Sequence, residues 1–102
     1  MLITMTTVAS EAEALRLARL IVEKKLAACV QILPKMTSVY VWKGEVQEEA
    51  EHLLLIKSLP EKYAEIERLL LAEHSYDTPE IVAISAEHAA AGYLDWVTET
   101  LR

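Results

Sequence analysis

The sequence contains few residues of the kinds that perform chemistry, and the most suggestive of them lie far apart along the chain. Cys29 is the single cysteine, and His74 precedes Tyr76 and Glu80 in a polar segment. A thiolate and an imidazole are typical ligands of a soft metal such as copper, provided that folding brings them within bonding distance. Each also has an ordinary role, since a free cysteine in an apolar strand packs as a small hydrophobic residue and a histidine at a helix end interacts with the helix dipole.

Lys57 is the candidate for binding an anion. It follows four apolar residues at the end of a predicted strand, where a lysine either extends its amine to solvent or faces an anionic ligand. Asp77 is spaced to orient the His74 imidazole, but no nucleophile accompanies the pair, and the chain has neither a glycine-rich phosphate loop nor a G-x-S-x-G motif. We therefore predict a protein that is not an enzyme, in which His52 and His88 are surface residues.

The elements that would position these residues follow the order β-α-β-β-α-β-α. A capping box formed by Ser10 and Glu13, followed by apolar residues at helical spacing, predicts a helix that ends near Leu26. A second capping box at residues 58–61, with proline near the first helical position, predicts another helix, and a third follows at the C-terminus. Four strands are predicted, at residues 2–7, at 27–33 and 37–42 as one strand interrupted near Pro34, at 51–57 and at 80–85.

This order predicts an α+β fold, the ferredoxin-like βαββαβ sandwich, in which two helices cover one face of a four-stranded antiparallel sheet. An extended β-hairpin and an extra C-terminal helix complete a single domain over residues 1–102. In the hairpin, Val39 and Val41 are expected on one face, which places Tyr40 and Trp42 on the other. Because the second sheet face and the hairpin lack cover while 53% of the residues are hydrophobic, we expect a homo-oligomer.

The charge balance and the hydropathy pattern exclude two classes of partner. With 10 basic and 16 acidic residues, the chain lacks the positive surface that nucleic-acid binding requires. No apolar run approaches the ~18 residues of a membrane helix, and no export signal follows Met1, so we expect a cytoplasmic protein that does not bind membranes. Four glutamates near the hairpin are predicted to form a solvated cluster, with a cation site there as the alternative: Glu45, Glu48, Glu49 and Glu51.

Several groups of residues, in this order and spacing, resemble the signature of the CutA divalent-cation tolerance family. They are Leu26-Ala27-Ala28-Cys29-Val30, Ser38-x-Tyr40-x-Trp42-x-Gly44, Lys57, His74-x-Tyr76-x-x-Pro79-Glu80-Ile81 and Tyr93-Leu94-x-Trp96. Together they span nearly the whole chain. The resemblance implies a single CutA-like domain in a tightly packed homotrimer, similar in build to PII-type signalling proteins, with hairpins of neighbouring subunits pairing edge to edge.

The resemblance also implies a role in tolerance of copper and other divalent cations. In some family members copper binding is attributed to an early cysteine and to two adjacent histidines. In this chain the cysteine position falls near Met5 or Thr6, the first histidine is replaced by Glu73, and only His74 remains. The family's His-Pro-Tyr is His74-Ser75-Tyr76 here.

We therefore expect a homotrimeric protein of divalent-metal tolerance or response that binds copper or another divalent cation at an intersubunit cleft. His74 and Cys29 are the expected metal ligands, and the expected ligand-binding residues are Lys57, Tyr76 and Glu80. The alternative is a PII-like regulatory module that binds a small anionic metabolite or docks an unknown protein partner, for which Lys57 is the indication.

Overall fold

The computed structural model describes all residues from Met1 to Arg102. No helix in it is both long enough and apolar enough to cross a membrane. In chain order, the elements are β1 (Leu2–Val8), α1 (Glu11–Glu23), β2 (Cys29–Ile32), β3 (Met36–Trp42), β4 (Glu45–Ser58), α2 (Tyr63–Glu73), β5 (Val82–Ser85) and α3 (Ala91–Thr100). A 3₁₀ turn, Pro60–Lys62, leads into α2.

The main sheet has the strand order β2-β4-β1-β5, and every neighbouring pair is antiparallel. β4 is 14 residues long, and its second half pairs with both β1 and β2, whereas its first half pairs with β3 alone. β2 and β3 thus lie end to end along β4, separated by the break that Pro34 predicts. The order and the helix positions confirm the predicted ferredoxin-like sandwich.

One face of the sheet is covered by α1 and α2, and the main hydrophobic core lies between them. Side chains alternate between the two faces of each strand, so Val8 of β1 shares this face with Leu54 and Ile56 of β4. The buried core residues are Val8, Ala14, Leu17, Ile21, Leu26, Ala27, Leu54, Ile56, Ile66 and Leu70. The helical positions among them match the apolar spacing seen in the sequence.

The helix starts differ from the two predicted capping boxes. At α1, the Glu13 N–H donates to the Ser10 hydroxyl over 3.1 Å, but the Glu13 carboxylate does not return to Ser10. At α2 the predicted capping box is wrong, because Ser58 is a buried residue of β4 whose hydroxyl donates to the Leu26 carbonyl. Pro60 opens the 3₁₀ turn, a position where the N–H that proline lacks is not needed.

α1 ends at Glu23, three residues before the predicted end at Leu26. The reason is Lys25, which takes a left-handed conformation with φ of 57°. The Leu26 N–H then donates to the Ile21 carbonyl over 3.0 Å, and this hydrogen bond closes the helix in a Schellman motif.

The hairpin of β3 and β4 closes through a two-residue turn, because Trp42 pairs with Glu45 across the ladder. The turn residues Lys43 and Gly44 have φ values of 50° and 79°. Positive φ at both central positions is what a type I′ turn requires, and this turn matches the twist of the flanking strands.

Gly44→Ala is expected to lower the free energy of unfolding by about 1–2 kcal/mol, because a Cβ is strained in the left-handed region. A Cβ at Gly44 would meet no atom within 4 Å, so backbone strain alone should produce the loss. Gly92 inside α3 is the matched control, since Gly92→Ala meets no atom either and should add about 0.5–1 kcal/mol. Urea unfolding at one protein concentration measures both effects, and a stabilising Gly44→Ala would contradict the turn assignment.

The sheet face turned away from α1 and α2, which we call the open face, also carries apolar side chains. They are Ile3 and Met5 of β1, Leu53 and Leu55 of β4, and Val82 and Ile84 of β5. The two β5 residues are 46% and 50% exposed. α3 packs against Met1, Ala28 and Leu59, and the ring of its Tyr93 lies beneath the Lys57 amine.

The hairpin extends the molecule, which measures 44 × 26 × 23 Å. Val39 and Val41 are exposed on one face of the hairpin, and Tyr40 and Trp42 are exposed on the other. This confirms that both faces carry large apolar groups. Because side chains alternate along β4, the hairpin face that carries Tyr40 and Trp42 continues into the open face of the sheet.

Candidate functional site

His74 caps the C-terminus of α2, and its side chain is fully buried (0% exposed). Its Nε2 lies 2.9 Å from the Thr7 carbonyl oxygen, and its Nδ1 lies 3.1 Å from the Tyr76 backbone nitrogen. These partners assign one neutral tautomer, in which Nε2–H donates to Thr7 and Nδ1 accepts from Tyr76. Both ring nitrogens are therefore engaged within the chain, and a metal ion would have to displace one of these hydrogen bonds.

Two residues of α1 hold the segment around His74 in place. The Glu13 carboxylate accepts hydrogen bonds from the Ser75 N–H (2.9 Å) and hydroxyl (2.8 Å), and it lies 3.9 Å from His74 Nδ1. Arg16 donates to the Glu73 carboxylate (3.0 Å) and carbonyl (2.8 Å). Glu73, which stands where the resemblance places a histidine, thus pairs with an arginine, and Glu13 rather than Asp77 lies beside the imidazole.

Tyr76 connects this segment to the hairpin. Its hydroxyl donates to Glu51 Oε2 over 2.9 Å, and its ring lies 4.9 Å from the His74 ring. Burial, the hydrogen bond to Glu51 and the charge of Glu51 raise the pKa of Tyr76 well above 10.0, so the hydroxyl remains a donor. Glu51 is only 8% exposed, which corrects its placement in a solvated cluster; Glu45, Glu48 and Glu49 are exposed as predicted.

Tyr76→Phe is expected to lower the free energy of unfolding by about 1.5–3 kcal/mol, because it removes the hydrogen bond to a buried carboxylate. Tyr63→Phe is the matched control: it removes a 2.7 Å hydrogen bond to Glu67, which is less buried, and should change stability by less than about 0.5 kcal/mol. Chemical unfolding at pH 7 measures both, and equal losses would contradict the special role of the Tyr76–Glu51 pair.

The same pair sets an expected pH dependence. Because the folded state raises the pKa of Tyr76, its stabilising contribution is complete below pH 10.0 and declines as the pH rises toward the folded-state value. The free energy of unfolding of the native protein should therefore decrease above pH 10.0, and this decrease should be smaller in Tyr76→Phe.

A cleft of about 710 Å³ lies between the hairpin and the segment after α2, and we call it the acidic cleft. Its lining residues are Thr7, Ser38, Val39, Tyr40, Trp42, Glu51, Ser75, Tyr76, Asp77, Thr78 and Glu80. They include three aromatic rings and three carboxylates, but no lysine and no arginine. Tyr76 and Glu80 thus share one cleft, and ligand binding by them stays a prediction.

Cys29 and Lys57 lie together at a different place. They are cross-strand partners of β2 and β4, the thiol is free and partly buried, and Lys57 Nζ lies 5.6 Å from the centroid of the Tyr93 ring. This geometry is that of a cation–π interaction. Lys57 is six residues from Glu51 along β4, which corresponds to about 20 Å of extended strand.

A single chain does not bring the two predicted metal ligands together. Cys29 is opposite Lys57, whereas His74 binds Thr7, whose partner on β4 is Leu53. Four strand residues, or about 13 Å, separate these two levels of the sheet. In agreement with this, no group of three or more His, Cys, Asp and Glu residues is arranged to hold a metal ion. Metal ligation by Cys29 and His74 remains a prediction, which requires residues from two subunits.

Sequence reasoning missed two parts of this site. Glu51 was grouped with the exposed glutamates, and Glu13 was expected to cap its own helix. For Glu51 a signal existed, because it lies two and four residues before Leu53 and Leu55 on an alternating strand. The sequence contains no such signal for Glu13, since its partner Ser75 is 62 residues away in the chain.

Two helices on one face of an antiparallel β2-β4-β1-β5 sheet define a ferredoxin-like α+β protein, to which the hairpin and α3 are additions. Residues 2–100 match the sequence model of the CutA1 divalent ion tolerance protein family. The chain belongs to this family, as the resemblance in its sequence predicts.

Individual relatives are similar over almost the whole chain. The divalent-cation tolerance protein CutA of Thermus thermophilus is 42% identical over 97 residues, which are 95% of this chain and 94% of that protein. A solved structure of the periplasmic divalent cation tolerance protein CutA from Archaeoglobus fulgidus has a TM-score of 0.96 at 39% identity, with 100% of both chains covered. The chloroplastic protein CutA 1 of rice is 38% identical over 99% of this chain and 57% of its own length.

The names of these relatives bear on the expected location. One is called periplasmic and another chloroplastic, so a cytoplasmic location stays a prediction for this chain. The family is named for divalent-cation tolerance and not for a catalysed reaction, and the expectation that the chain is not an enzyme likewise remains a prediction.

Proposed function

We propose that this protein is a homotrimer that contributes to divalent-cation tolerance by binding metal ions, copper among them, at clefts between its subunits. The observation that carries the proposal is the open face, where Val82 and Ile84 are half exposed next to the apolar rows of β1 and β4. A large contiguous apolar surface on a folded domain usually marks an interface. The family membership supports the connection to divalent cations.

The separation of the predicted site residues supports a shared site. Cys29 and Lys57 lie at one end of the open face, whereas Tyr76 and Glu80 lie at the other, beside the hairpin. When three open faces pack together, the end of one subunit that carries Cys29 and Lys57 approaches the end of its neighbour that carries Tyr76 and Glu80. Residues that a single chain keeps apart then line one cleft.

The available donor atoms suit two kinds of metal ion. A thiolate such as that of Cys29 favours soft ions, including copper, whereas the carboxylates of Asp77 and Glu80 favour harder divalent cations. The imidazole of His74 can join either set after its hydrogen bond to Tyr76 is released, because that step frees Nδ1.

Two measurements test the proposal. Light scattering should give three times the subunit mass of 11.5 kDa, and equilibrium dialysis with Cu(I), Cu(II) and Zn(II) should give stoichiometric binding per subunit. Cys29→Ser should weaken copper binding at least tenfold. His88→Ala, at a side chain that is 91% exposed, is the control and should leave binding unchanged.

Two results would contradict this function. One is a stable monomer at micromolar concentration, which would show that the open face is not an interface. The other is copper binding that both Cys29→Ser and His74→Gln leave intact. His74→Gln is suitable because an amide side chain offers one donor and one acceptor in place of the imidazole.

One observation favours the alternative of a PII-like regulatory module. Lys57 is partly buried, and its amine has no carboxylate within ion-pair distance, only the Tyr93 ring. An anionic metabolite is a suitable partner for such an amine. A thermal-shift series with citrate and nucleoside triphosphates, without metal, should stabilise the native protein and not Lys57→Met if this second function holds.

A further inference from the structure

Glu51 is an unusual residue in this structure, because it places a carboxylate at a nearly buried position without a positive partner. It is 8% exposed, and the only side-chain hydrogen bond of its carboxylate is the one that Oε2 accepts from the Tyr76 hydroxyl. None of the four ion pairs in the chain includes it. Buried carboxylates are seldom left without a paired charge, because removing them from water is costly. A cation that is not part of the chain would supply the missing charge.

The surroundings of Glu51 define what kind of cation fits. The acidic cleft, which Glu51 lines, has the rings of Tyr40, Trp42 and Tyr76 on its walls. Aromatic faces attract cations, and tyrosine and tryptophan rings also contact the carbon atoms of an organic ligand. A fully hydrated inorganic ion makes little use of three such rings. The cleft volume of about 710 Å³ is within the range of small-molecule sites.

Most polar side chains of the cleft can accept hydrogen bonds. Glu51, Asp77 and Glu80 contribute carboxylates, which only accept, and four hydroxyl residues, which both accept and donate, also line the cleft: Thr7, Ser38, Ser75 and Thr78. Such a set is complementary to a ligand that carries several N–H donors. Within one subunit the lining contains no lysine and no arginine, which disfavours an anion.

From this geometry we propose that the acidic cleft is a binding site for a small protonated organic amine, whose ammonium group faces Glu51 while its carbon chain lies against the aromatic rings. The proposal goes beyond the metal function, because it concerns a different class of ligand. A metal ion alone is a poorer occupant, since no three metal-ligating side chains converge within the chain. Partial burial raises the pKa of Tyr40, and the charges of Glu49 and Glu51 raise it further.

Three probes with the same four-carbon skeleton test the charge preference directly. They are 1,4-diaminobutane (a dication), 1,4-butanediol (neutral) and succinate (a dianion), titrated calorimetrically into the native assembled protein at about 0.15 M salt, where exposed charges are screened. We expect saturable binding of the diamine only, at one site per subunit. Magnesium chloride is titrated separately, so that a general affinity for cations is detected.

Glu51→Gln is the decisive variant, because it removes the charge but keeps the shape and an acceptor for the Tyr76 hydroxyl. It should weaken diamine binding at least tenfold. Glu48→Gln makes the same chemical change on the opposite face of the hairpin and should leave binding unchanged. Trp42→Leu should also weaken binding, by a few-fold, because one aromatic wall is lost.

Several results would overturn the proposal. They are no diamine binding, equal binding of butanediol, equal losses in Glu51→Gln and Glu48→Gln, or magnesium binding that accounts for the diamine signal. The metal function is decided by separate measurements, namely the oligomer mass and copper binding in Cys29→Ser.

Discussion

Replacing His74 with alanine is expected to lower the free energy of unfolding by about 3 kcal/mol. The imidazole is fully buried and joins the C-terminal end of α2 to two other parts of the chain, since it donates to Thr7 of β1 and accepts from the Tyr76 N–H. Its removal leaves one buried acceptor and one donor without partners, at about 1–3 kcal/mol each when no water replaces the ring. The cavity left by the ring adds to this loss.

Chemical denaturation at fixed protein concentration measures this effect. His74→Gln should restore part of the stability, because its amide can replace the donor and the acceptor. His88→Ala, on an exposed side chain, should stay within about 0.5 kcal/mol of the native protein. If His74→Ala is as stable as His88→Ala, the hydrogen bonds of His74 do not stabilise this segment. Its imidazole would then be available for a metal ion.

Leu55→Glu is expected to dissociate the proposed trimer into monomers. Leu55 lies in the middle of the open face, opposite Met5 of β1 and Gln31 of β2. In a packed assembly its side chain enters an apolar interface, where an unpaired carboxylate costs several kcal/mol. The mass from light scattering should fall to about one third of the native value at micromolar concentration.

A control variant separates this effect from a general effect of added charge. Leu71 on α2 is 60% exposed and lies outside the core, so Leu71→Glu should leave the oligomer intact. An unchanged mass for Leu55→Glu would place the subunit interface elsewhere, and an equal loss in both variants would point to non-specific charge repulsion. Circular dichroism of each variant confirms that the secondary structure has formed.

Periodicity and turn residues were sufficient to predict the order of the elements, because these features are local. The ends of the strands and helices were predicted less well where residues far away in the chain determine them. Residues 45–50 are too polar to be recognised as strand, yet they are extended because they pair with β3. Ser58 has the sequence context of a helix cap, but its hydroxyl instead binds Leu26, 32 residues away.

The candidate site was less predictable for the same physical reason. The spacing of His74, Tyr76 and Glu80 matches the family signature, but it does not indicate what their atoms contact. The partner of the His74 imidazole is 67 residues away, and that of the Tyr76 hydroxyl is 25 residues away. Hydrogen bonds across such distances depend on the folded sheet, and no local pattern contains them.

The central position of β1 in the sheet has a consequence for synthesis on the ribosome. β1 is the first strand to emerge, but it lies between β4 and β5, and Met5 pairs with Val82. At about 5–20 residues per second, roughly 4–15 s pass between the synthesis of these two residues. During that time the nascent chain carries an apolar strand whose second neighbour does not yet exist. β1 is therefore the part of the chain on which we expect a ribosome-associated chaperone to act.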